Sequence, residues 1–173
     1  MRSRIAIICA ALIGSVSADA AEGDRVSGTL EGDGISGEIT MVETASGVVL
    51  AEVSGRGIPE GAHGIHVHET GKCESADKFE SAGGHLAGGL DHGPHSQNGP
   101  HPGDLPNVHA GADGVVHAEF FLRGITLGTE GDPGILDDDG AAVIIHSGPD
   151  DYTTQPSGGS GSRIACAVLK AVQ

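Results

Sequence analysis

Hydrophobic and polar positions alternate in short runs along most of this chain. Such runs, rich in Val, Ile and Thr and bounded by glycine, are typical of β-strands. No window of ten or more residues after the first twenty has a helical period. We predict eight strands, at Arg25–Glu31, Ile35–Thr44, Gly47–Gly55, His63–Glu69, Leu105–Ala110, Val115–Leu122, Ala141–His146 and Ser162–Leu169. Tight glycine-containing turns predict hairpins between the first three pairs of neighbouring strands. The pattern therefore predicts an all-β sandwich or barrel of antiparallel strands.

Two segments between the strands lack any such pattern. Thr70–Asp104 is rich in glycine, proline and histidine, and Ser147–Gly161 is rich in glycine and serine. Long loops within a compact domain are usually functional or disordered. Because the first loop contains four histidines, we expect a functional role for it.

One predicted strand contains two histidines that are separated by a single residue, His66 and His68. Residues two apart along a strand lie on the same face, so Ile65 and Val67 are predicted to face the core and both imidazoles the opposite side. Neutral imidazole is a ligand that suits copper and zinc. The pair therefore predicts a site for a transition metal.

The first twenty residues have the features of a secretory signal peptide. A basic start with Arg2 and Arg4 is followed by the apolar run Ile5–Val16 and by a small-residue cleavage site at Ala18–Ala20. An uncleaved anchor is the alternative, but the apolar run is too short to span a bilayer. We expect residues 1–20 to be removed and residues 21–173 to form one domain, located in the periplasm and free of the membrane.

The charge of the chain excludes some partners. The formal net charge is −15, and loss of two basic residues and one acidic residue with the signal peptide would make it −16. A surface of this sign repels nucleic acid and anionic membranes. A small anionic substrate would therefore need a local positive site.

Two cysteines, Cys73 and Cys166, would remain after removal of the signal peptide, since Cys9 lies within it. Two cysteines in an exported domain indicate one disulfide, with a pair of unlinked thiols as the alternative.

Further metal-ligand candidates lie outside the His66–His68 pair. His101 and Asp104 are three residues apart in a turn fixed by glycine and proline, and a mixed set of His and Asp ligands suits tetrahedral zinc. His85 and His92 lie in the same loop, and His146 ends the apolar run of a predicted strand. By contrast, His63 is predicted to be a hydrogen-bonded structural histidine.

These residues together resemble the copper/zinc superoxide dismutases, specifically the exported bacterial type. The resemblance extends from about Arg25 to Leu169. It rests on five separate motifs in the family order, His63-Gly-Ile-His66-Val-His68-Glu, Ser81-Ala-Gly-Gly-His85, Gly99-Pro-His101-Pro-Gly-Asp104-Leu-Pro, Ala142-Val-Ile-Ile-His146 and Gly161-Ser-Arg163-Ile-Ala-Cys166.

The resemblance implies a Greek-key β-barrel with two metals and a role for each matching residue. It implies four copper ligands, His66, His68, His85 and His146, and four zinc ligands, His85, His92, His101 and Asp104, so that His85 is shared. Asp150 corresponds to the carboxylate that links the two sites. Arg163 corresponds to the residue that anchors the substrate, so that Arg163 and His85 are the expected catalytic residues. Cys73 and Cys166 correspond to the family disulfide.

The chain departs from the family pattern near the zinc ligands. The spacing from His85 to His92 is one residue shorter than in the commoner pattern, and Leu86-Ala87-Gly88 replaces the usual asparagine-proline. His95 is therefore an alternative to His92 as a zinc ligand. The loop Ser147–Gly161 also contains no lysine, although many relatives use lysines there to attract the substrate.

The implied function is dismutation of superoxide to dioxygen and hydrogen peroxide by a copper centre that cycles between two oxidation states beside a zinc ion. The alternative is a non-enzymatic exported module that binds copper and zinc on the same scaffold. Superoxide is the expected partner. Bacterial members of the family differ in oligomeric state, so both a monomer and a homodimer are considered.

Overall fold

The chain folds into a curled antiparallel β-sheet, as the alternation of apolar and polar residues predicts. The computed structural model describes residues 23–129 and 133–172, so the predicted signal peptide, residues 1–20, lies outside the described residues. The described strands are β1 (Arg25–Gly32), β2 (Ser36–Glu43), β3 (Val49–Arg56), β4 (Gly61–His63), β5 (Ile65–His68), β6 (Val108–Ala110), β7 (Val116–Leu122), β8 (Ala142–His146), β9 (Arg163–Val168) and β10 (Lys170–Ala171). No helix in the part of the chain that the structure describes is long and apolar enough to cross a membrane.

The strands pair in the order β5-β8-β9-β1-β2-β3-β7, with β10 beside β1, while β4 and β6 form a separate two-stranded sheet. The hairpins β1–β2 and β2–β3 form as predicted. The third predicted hairpin is wrong, because β3 pairs with β7, more than fifty residues further along the chain. Strands distant in sequence thus become neighbours. Three long connections, β5–β6, β7–β8 and β8–β9, join them.

The predicted strand His63–Glu69 is interrupted at Gly64. Residues before Gly64 pair with β6, and residues after it pair with β8. A side chain at Gly64 would come within 2.8 Å of Ser160 Cβ and 3.1 Å of His66 Cε1, so only glycine leaves room for the loop that packs there. The interruption allows one segment of the chain to join both sheets next to the histidine pair.

The core lies inside the curled sheet. Ile65 and Val67 are fully buried in it, as predicted, together with apolar residues from most of the other strands. A smaller apolar cluster on the other side of β8 contains Phe79, Ile144 and Cys166. The two long loops cover this second side, so His66 and His68 are also buried, at 0% and 1% exposure.

Candidate metal centre

Strand β5 and the loop that follows it bring the first histidines together. The otherwise free edge of β5 is paired with the loop, since Val67 N–H donates to Gly103 O at 2.9 Å and Leu86 N–H donates to Val67 O at 2.8 Å. This pairing places Asp104 opposite His66 and His85 opposite His68 as isolated β-bridges. A strand, which fixes side-chain direction, thus determines where the loop residues lie.

Strand β8 contributes His146 next to β5. The pairing of β8 with β9 shifts register between Ile145 and His146, which is the signature of a β-bulge. The backbone N–H of His146 donates to Gly64 O at 2.9 Å. The bulge and this hydrogen bond direct the imidazole of His146 towards the histidines of β5.

Hydrogen bonds select one tautomer for each histidine of β5. His66 Nε2 donates to Asp150 Oδ2 at 2.8 Å, and His68 Nδ1 donates to the carbonyl oxygen of Gly83 at 3.0 Å. Neither acceptor has a hydrogen to donate, so each ring carries its proton on the nitrogen that makes the hydrogen bond. The opposite ring nitrogens, His66 Nδ1 and His68 Nε2, are therefore left with free lone pairs.

His85 and His146 are oriented in the same way. His85 Nδ1 lies 2.9 Å from Asp104 Oδ1, and His146 Nδ1 lies 3.4 Å from Gly161 O. The remaining nitrogens of the four histidines are buried and have no hydrogen-bond partner among the described residues. These nitrogens, His66 Nδ1, His68 Nε2, His85 Nε2 and His146 Nε2, belong to four residues whose ligand atoms lie within 4.8 Å of one another. Buried polar atoms without partners are costly, and four imidazole nitrogens that converge fit a copper ion.

A second group of ligand atoms lies on the other side of His85. The Nδ1 atoms of His85, His92 and His101 lie 2.9, 3.0 and 3.1 Å from a single oxygen, Asp104 Oδ1. The other oxygen, Asp104 Oδ2, accepts hydrogen bonds from the backbone N–H groups of Gly93 and His101. Three imidazoles and one carboxylate within 4.8 Å form a donor set that fits tetrahedral zinc.

The electrostatics of the site keep several of these nitrogens unprotonated. Burial is the largest cause that lowers the pKa of three histidines, to about 2 for His68, about 3 for His146 and about 4 for His85. The positive charge of Arg163 adds to the lowering of the pKa at His68 and His146. Neutral imidazole is the form that binds a metal, so these side chains are ready to act as ligands at neutral pH.

The two groups are connected by the buried carboxylate of Asp150. Oδ2 of Asp150 accepts from His66 Nε2 at 2.8 Å, and Oδ1 lies 3.0 Å from His92 Nε2. Burial alone would raise the pKa of Asp150, but hydrogen bonds from His66, from the Tyr152 backbone and from His92 lower it to about 2. One carboxylate therefore orients a histidine of each group.

The sequence offers His92 and His95 as alternatives for the second group of ligand atoms, and His92 is the one that lies in this group. His92 is fully buried, whereas His95 is exposed and lies outside both groups. The amide of Gln155 holds the His92 backbone at two points, accepting from the N–H at 2.9 Å and donating to the carbonyl at 2.8 Å. This contact from the second long loop fixes His92 despite the short spacing from His85.

Arg163, at the start of β9, is held beside the first group. Its guanidinium donates to Phe79 O at 2.7 Å through Nη1 and to Gly83 O at 2.8 Å through Nη2. Both carbonyls belong to the loop that follows Cys73, and Cys73 is joined to Cys166 on β9 by the predicted disulfide. The disulfide therefore fastens the loop that positions Arg163 to the strand that carries it.

The histidines that the sequence left out of the site have other surroundings. The ring nitrogens of His63 lie 2.7 Å from the backbone carbonyl oxygens of Pro59 and His146, so His63 is a hydrogen-bonded structural residue as predicted. His109 and His117 are exposed on β6 and β7.

Sequence reasoning missed several residues that support the site. Asn107 accepts from the backbone N–H of Asp150 and donates to its carbonyl, at 2.8 and 2.9 Å. Gly158 has a φ of +67°, and a Cβ there would overlap Asp150 Oδ1. Neither residue belongs to the two groups of ligand atoms, and only for Gly158 was there a signal, the richness of Ser147–Gly161 in glycine. Asn107 holds the backbone of Asp150, and Gly158 leaves room for its carboxylate.

Comparison with known proteins extends these observations. The family model for copper/zinc superoxide dismutase (SODC) matches residues 35–169. A protein of Caulobacter vibrioides named superoxide dismutase [Cu-Zn] is 42% identical over 143 residues, which cover 80% of this chain and 81% of that protein. A protein of Aquifex aeolicus named superoxide dismutase [Cu-Zn] 2 is 38% identical over 138 residues, covering 79% of this chain and 80% of that protein.

Solved structures show the same fold. The crystal structure of a SOD-like protein from Bacillus subtilis superposes with a TM-score of 0.76 at 38% identity, covering 88% of this chain and 100% of that one. The clock protein EA4 superposes with a TM-score of 0.73 at 30% identity, covering 88% of this chain and 97% of that one. The family-model match, residues 35–169, contains both groups of ligand atoms.

Proposed function

The chain belongs to the copper/zinc superoxide dismutase family, and on this premise we propose a role for each residue of its metal centre. His66, His68, His85 and His146 hold copper, and His85, His92, His101 and Asp104 hold zinc. The observation that carries this assignment is the set of four buried imidazole nitrogens that converge without a hydrogen-bond partner among the described residues. A core site that serves only packing would not leave four such atoms unpaired.

The chain is an enzyme that converts two superoxide anions and two protons into dioxygen and hydrogen peroxide. When bound, copper supplies the one-electron chemistry by taking an electron from one superoxide and giving it to the next, while zinc supplies fixed positive charge. The protein must then attract a small anion, hold the ligands rigidly and deliver protons.

Arg163 is the residue proposed to dock the substrate. Its guanidinium is permanently charged and lies next to His68, because both donate to the carbonyl oxygen of Gly83. Backbone carbonyls hold it in place without cancelling its charge. A superoxide anion bound by Arg163 is therefore kept beside the proposed copper ligands, against the repulsion of a chain with a formal net charge of −15.

His85 is proposed to hold a proton at Nε2 during turnover. Its Nδ1 is directed at Asp104 and its Nε2 at the first group, so one ring connects the two groups of ligand atoms. Nε2 can hold a proton whenever it does not act as a ligand, and a proton at that atom lies close to the docked anion. Asp150 keeps His66 and His92 in fixed orientations while this takes place.

The experiment that tests this function measures metal content and turnover on the same sample. We expect one copper and one zinc per chain and superoxide-dependent turnover whose rate falls with ionic strength. Arg163→Ala should lower the rate by about ten-fold or more, since steering of this kind raises association rates by 10–10³. Arg56→Ala, at the exposed last residue of β3, removes the same charge and is the matched control.

A non-enzymatic metal-binding module is the competing function. It predicts both metals at full stoichiometry with no turnover, and equal behaviour of the two arginine variants. Relatives in Bacillus subtilis are named superoxide dismutase-like, which is why the assay of turnover is paired with the measurement of metal content.

We also propose that the protein is exported to the periplasm after removal of residues 1–20. The disulfide between Cys73 and Cys166 supports an oxidising compartment. Fractionation of expressing cells and N-terminal sequencing of the mature protein test this proposal, and recovery of full-length chain in the cytoplasm would contradict it. Sedimentation of the mature protein distinguishes a monomer from a homodimer.

A further inference from the structure

The guanidinium of Arg163 has an acceptor of a different kind besides its two carbonyls. The carboxylate of Glu80 lies 3.3 Å from Arg163 Nη2, measured to Oε2. Carbonyl oxygens carry only partial charges, so the hydrogen bonds that Arg163 donates to Phe79 O and Gly83 O leave the guanidinium cationic. Glu80 contributes a full negative charge to the same group.

Glu80 is too exposed to be a structural partner that holds Arg163 in place. Its side chain is 70% exposed, whereas the side chain of Arg163 is 14% exposed. Two hydrogen bonds to the backbone already fix both terminal nitrogens of Arg163. An exposed carboxylate adds little to that fixation, because ion pairs of this type are weak and easily opened.

Glu80 and a substrate anion would both pair with the positive charge of Arg163. Because the Glu80 carboxylate lies 3.3 Å from Arg163 Nη2, an anion that pairs with this guanidinium must do so beside a full negative charge. A negative group at this distance lowers the positive potential there and must be displaced before an anion can pair fully with Arg163.

We propose that Glu80 is an internal competitor for the anion-docking site of Arg163, and that it sets the affinity of this site for small anions. The inference rests on the proposed function, in which Arg163 docks superoxide. Glu80 is thus a specificity-determining residue that weakens anion binding, not a catalytic residue.

The test compares Glu80→Gln with Glu38→Gln in the copper- and zinc-loaded protein. Both substitutions remove one negative charge, but Glu38 lies exposed on β2, on the far side of β1 from β9. Azide is the probe, and its affinity is read from the absorption change at copper. The rate with superoxide is measured in parallel at low and high ionic strength.

We expect Glu80→Gln to raise both the azide affinity and the rate by about two- to five-fold at low ionic strength, the range of exposed ion pairs. The gain should shrink with added salt and should exceed that of Glu38→Gln. Equal effects of the two variants would overturn the inference, and so would a lower affinity in Glu80→Gln, which would make Glu80 a positioning residue. Azide binding needs no turnover. A wild-type protein without dismutase activity would therefore refute the proposed function, while the azide affinities of Glu80→Gln and Glu38→Gln would still test the role of Glu80.

Discussion

Arg163 and His68 share one acceptor, since the carbonyl oxygen of Gly83 accepts from Arg163 Nη2 at 2.8 Å and from His68 Nδ1 at 3.0 Å. A single peptide group thus orients the proposed substrate anchor and selects the tautomer of a proposed copper ligand. The conformation of Gly83, with φ of 74° and ψ of −156°, is one that only glycine readily adopts. The direction of this carbonyl therefore depends on glycine.

Gly83→Ala should impair turnover as well as stability. The new Cβ would lie 2.8 Å from Glu69 Oε1, and the strained backbone is expected to rotate and withdraw the shared carbonyl. We expect a stability loss of about 1–3 kcal/mol together with a lower rate and weaker azide binding. Gly34→Ala, at φ of +71° with no atom of the described residues within 4 Å of the new Cβ, is the control for strain alone. Equal rates in the two variants would contradict the role of the Gly83 carbonyl.

The disulfide should contribute strongly to stability. Cys73 and Cys166 are 93 residues apart, and a closed loop of this size is worth about 4–5 kcal/mol in the chain-entropy model. Replacing both cysteines by alanine avoids a buried hydroxyl at Cys166, which is 2% exposed. We expect denaturant unfolding to show a loss of this order, and reductant to have no further effect on the variant. A loss below about 1 kcal/mol would contradict the expectation.

The sequence predicts the strands well because their alternation of apolar and polar residues is a local property. Strand β3 buries every second residue from Val49 to Gly55, and a pattern of this kind needs no knowledge of the partner strand. The pairing of β3 with β7 could not be predicted in the same way, since it depends on which distant strand completes the sheet. Adjacency in sequence favoured a hairpin that does not form.

The ligand candidates were also visible in the sequence, since the ten histidines are few enough for their positions and spacing to carry information. The groups that orient them were not. Gly83 and Phe79 act through carbonyl oxygens, which every residue has, and Gln155 acts through an amide from a loop 63 positions away from His92. Backbone acceptors and contacts between distant loops become visible only in three dimensions.

His92 and His95 should differ sharply when each is replaced by alanine. His92 lies 3.0 Å from Asp104 Oδ1 through Nδ1 and is buried, whereas His95 is exposed. We expect His92→Ala to lower zinc affinity by at least about ten-fold, since loss of a ligand should exceed the effect of losing one of its outer partners. His95→Ala should leave zinc affinity unchanged in a chelator competition. The opposite ranking would assign the ligand to His95.

Replacement of Asp150 by asparagine should weaken both metal sites together. An asparagine has one acceptor oxygen, so it can accept from only one of the two ring nitrogens, His66 Nε2 or His92 Nε2, that Asp150 contacts. We expect a loss of about 10–100-fold in metal affinity, the usual effect of removing such a partner. Asp151→Asn removes the same charge from an exposed neighbour whose carboxylate accepts hydrogen bonds from Thr153 and Thr154. If the two variants bind copper and zinc equally well, Asp150 does not link the sites.

The metal-free protein should lose stability as the pH falls from about 6.5 to 4. Burial lowers the pKa of His85 to about 4, of His146 to about 3 and of His68 to about 2, whereas all three titrate near 6.5 in the unfolded chain. In this window the unfolded state therefore binds protons that the folded state does not, and protonation favours unfolding. Each of the three contributes a slope of up to about 1.4 kcal/mol per pH unit.

Denaturant unfolding of the metal-free protein at a series of pH values measures this slope. Below the ordinary carboxyl pKa of 3.8, Asp150 adds to the loss in the same direction, because its folded pKa is lowered to about 2 and the unfolded chain again takes up the proton first. His146→Gln should reduce the slope between pH 6.5 and 4, since one titrating imidazole is removed. A free energy of unfolding that stays flat over this window would mean that these histidines are solvated in the metal-free protein, and that the metal, not the fold, completes the burial of the site.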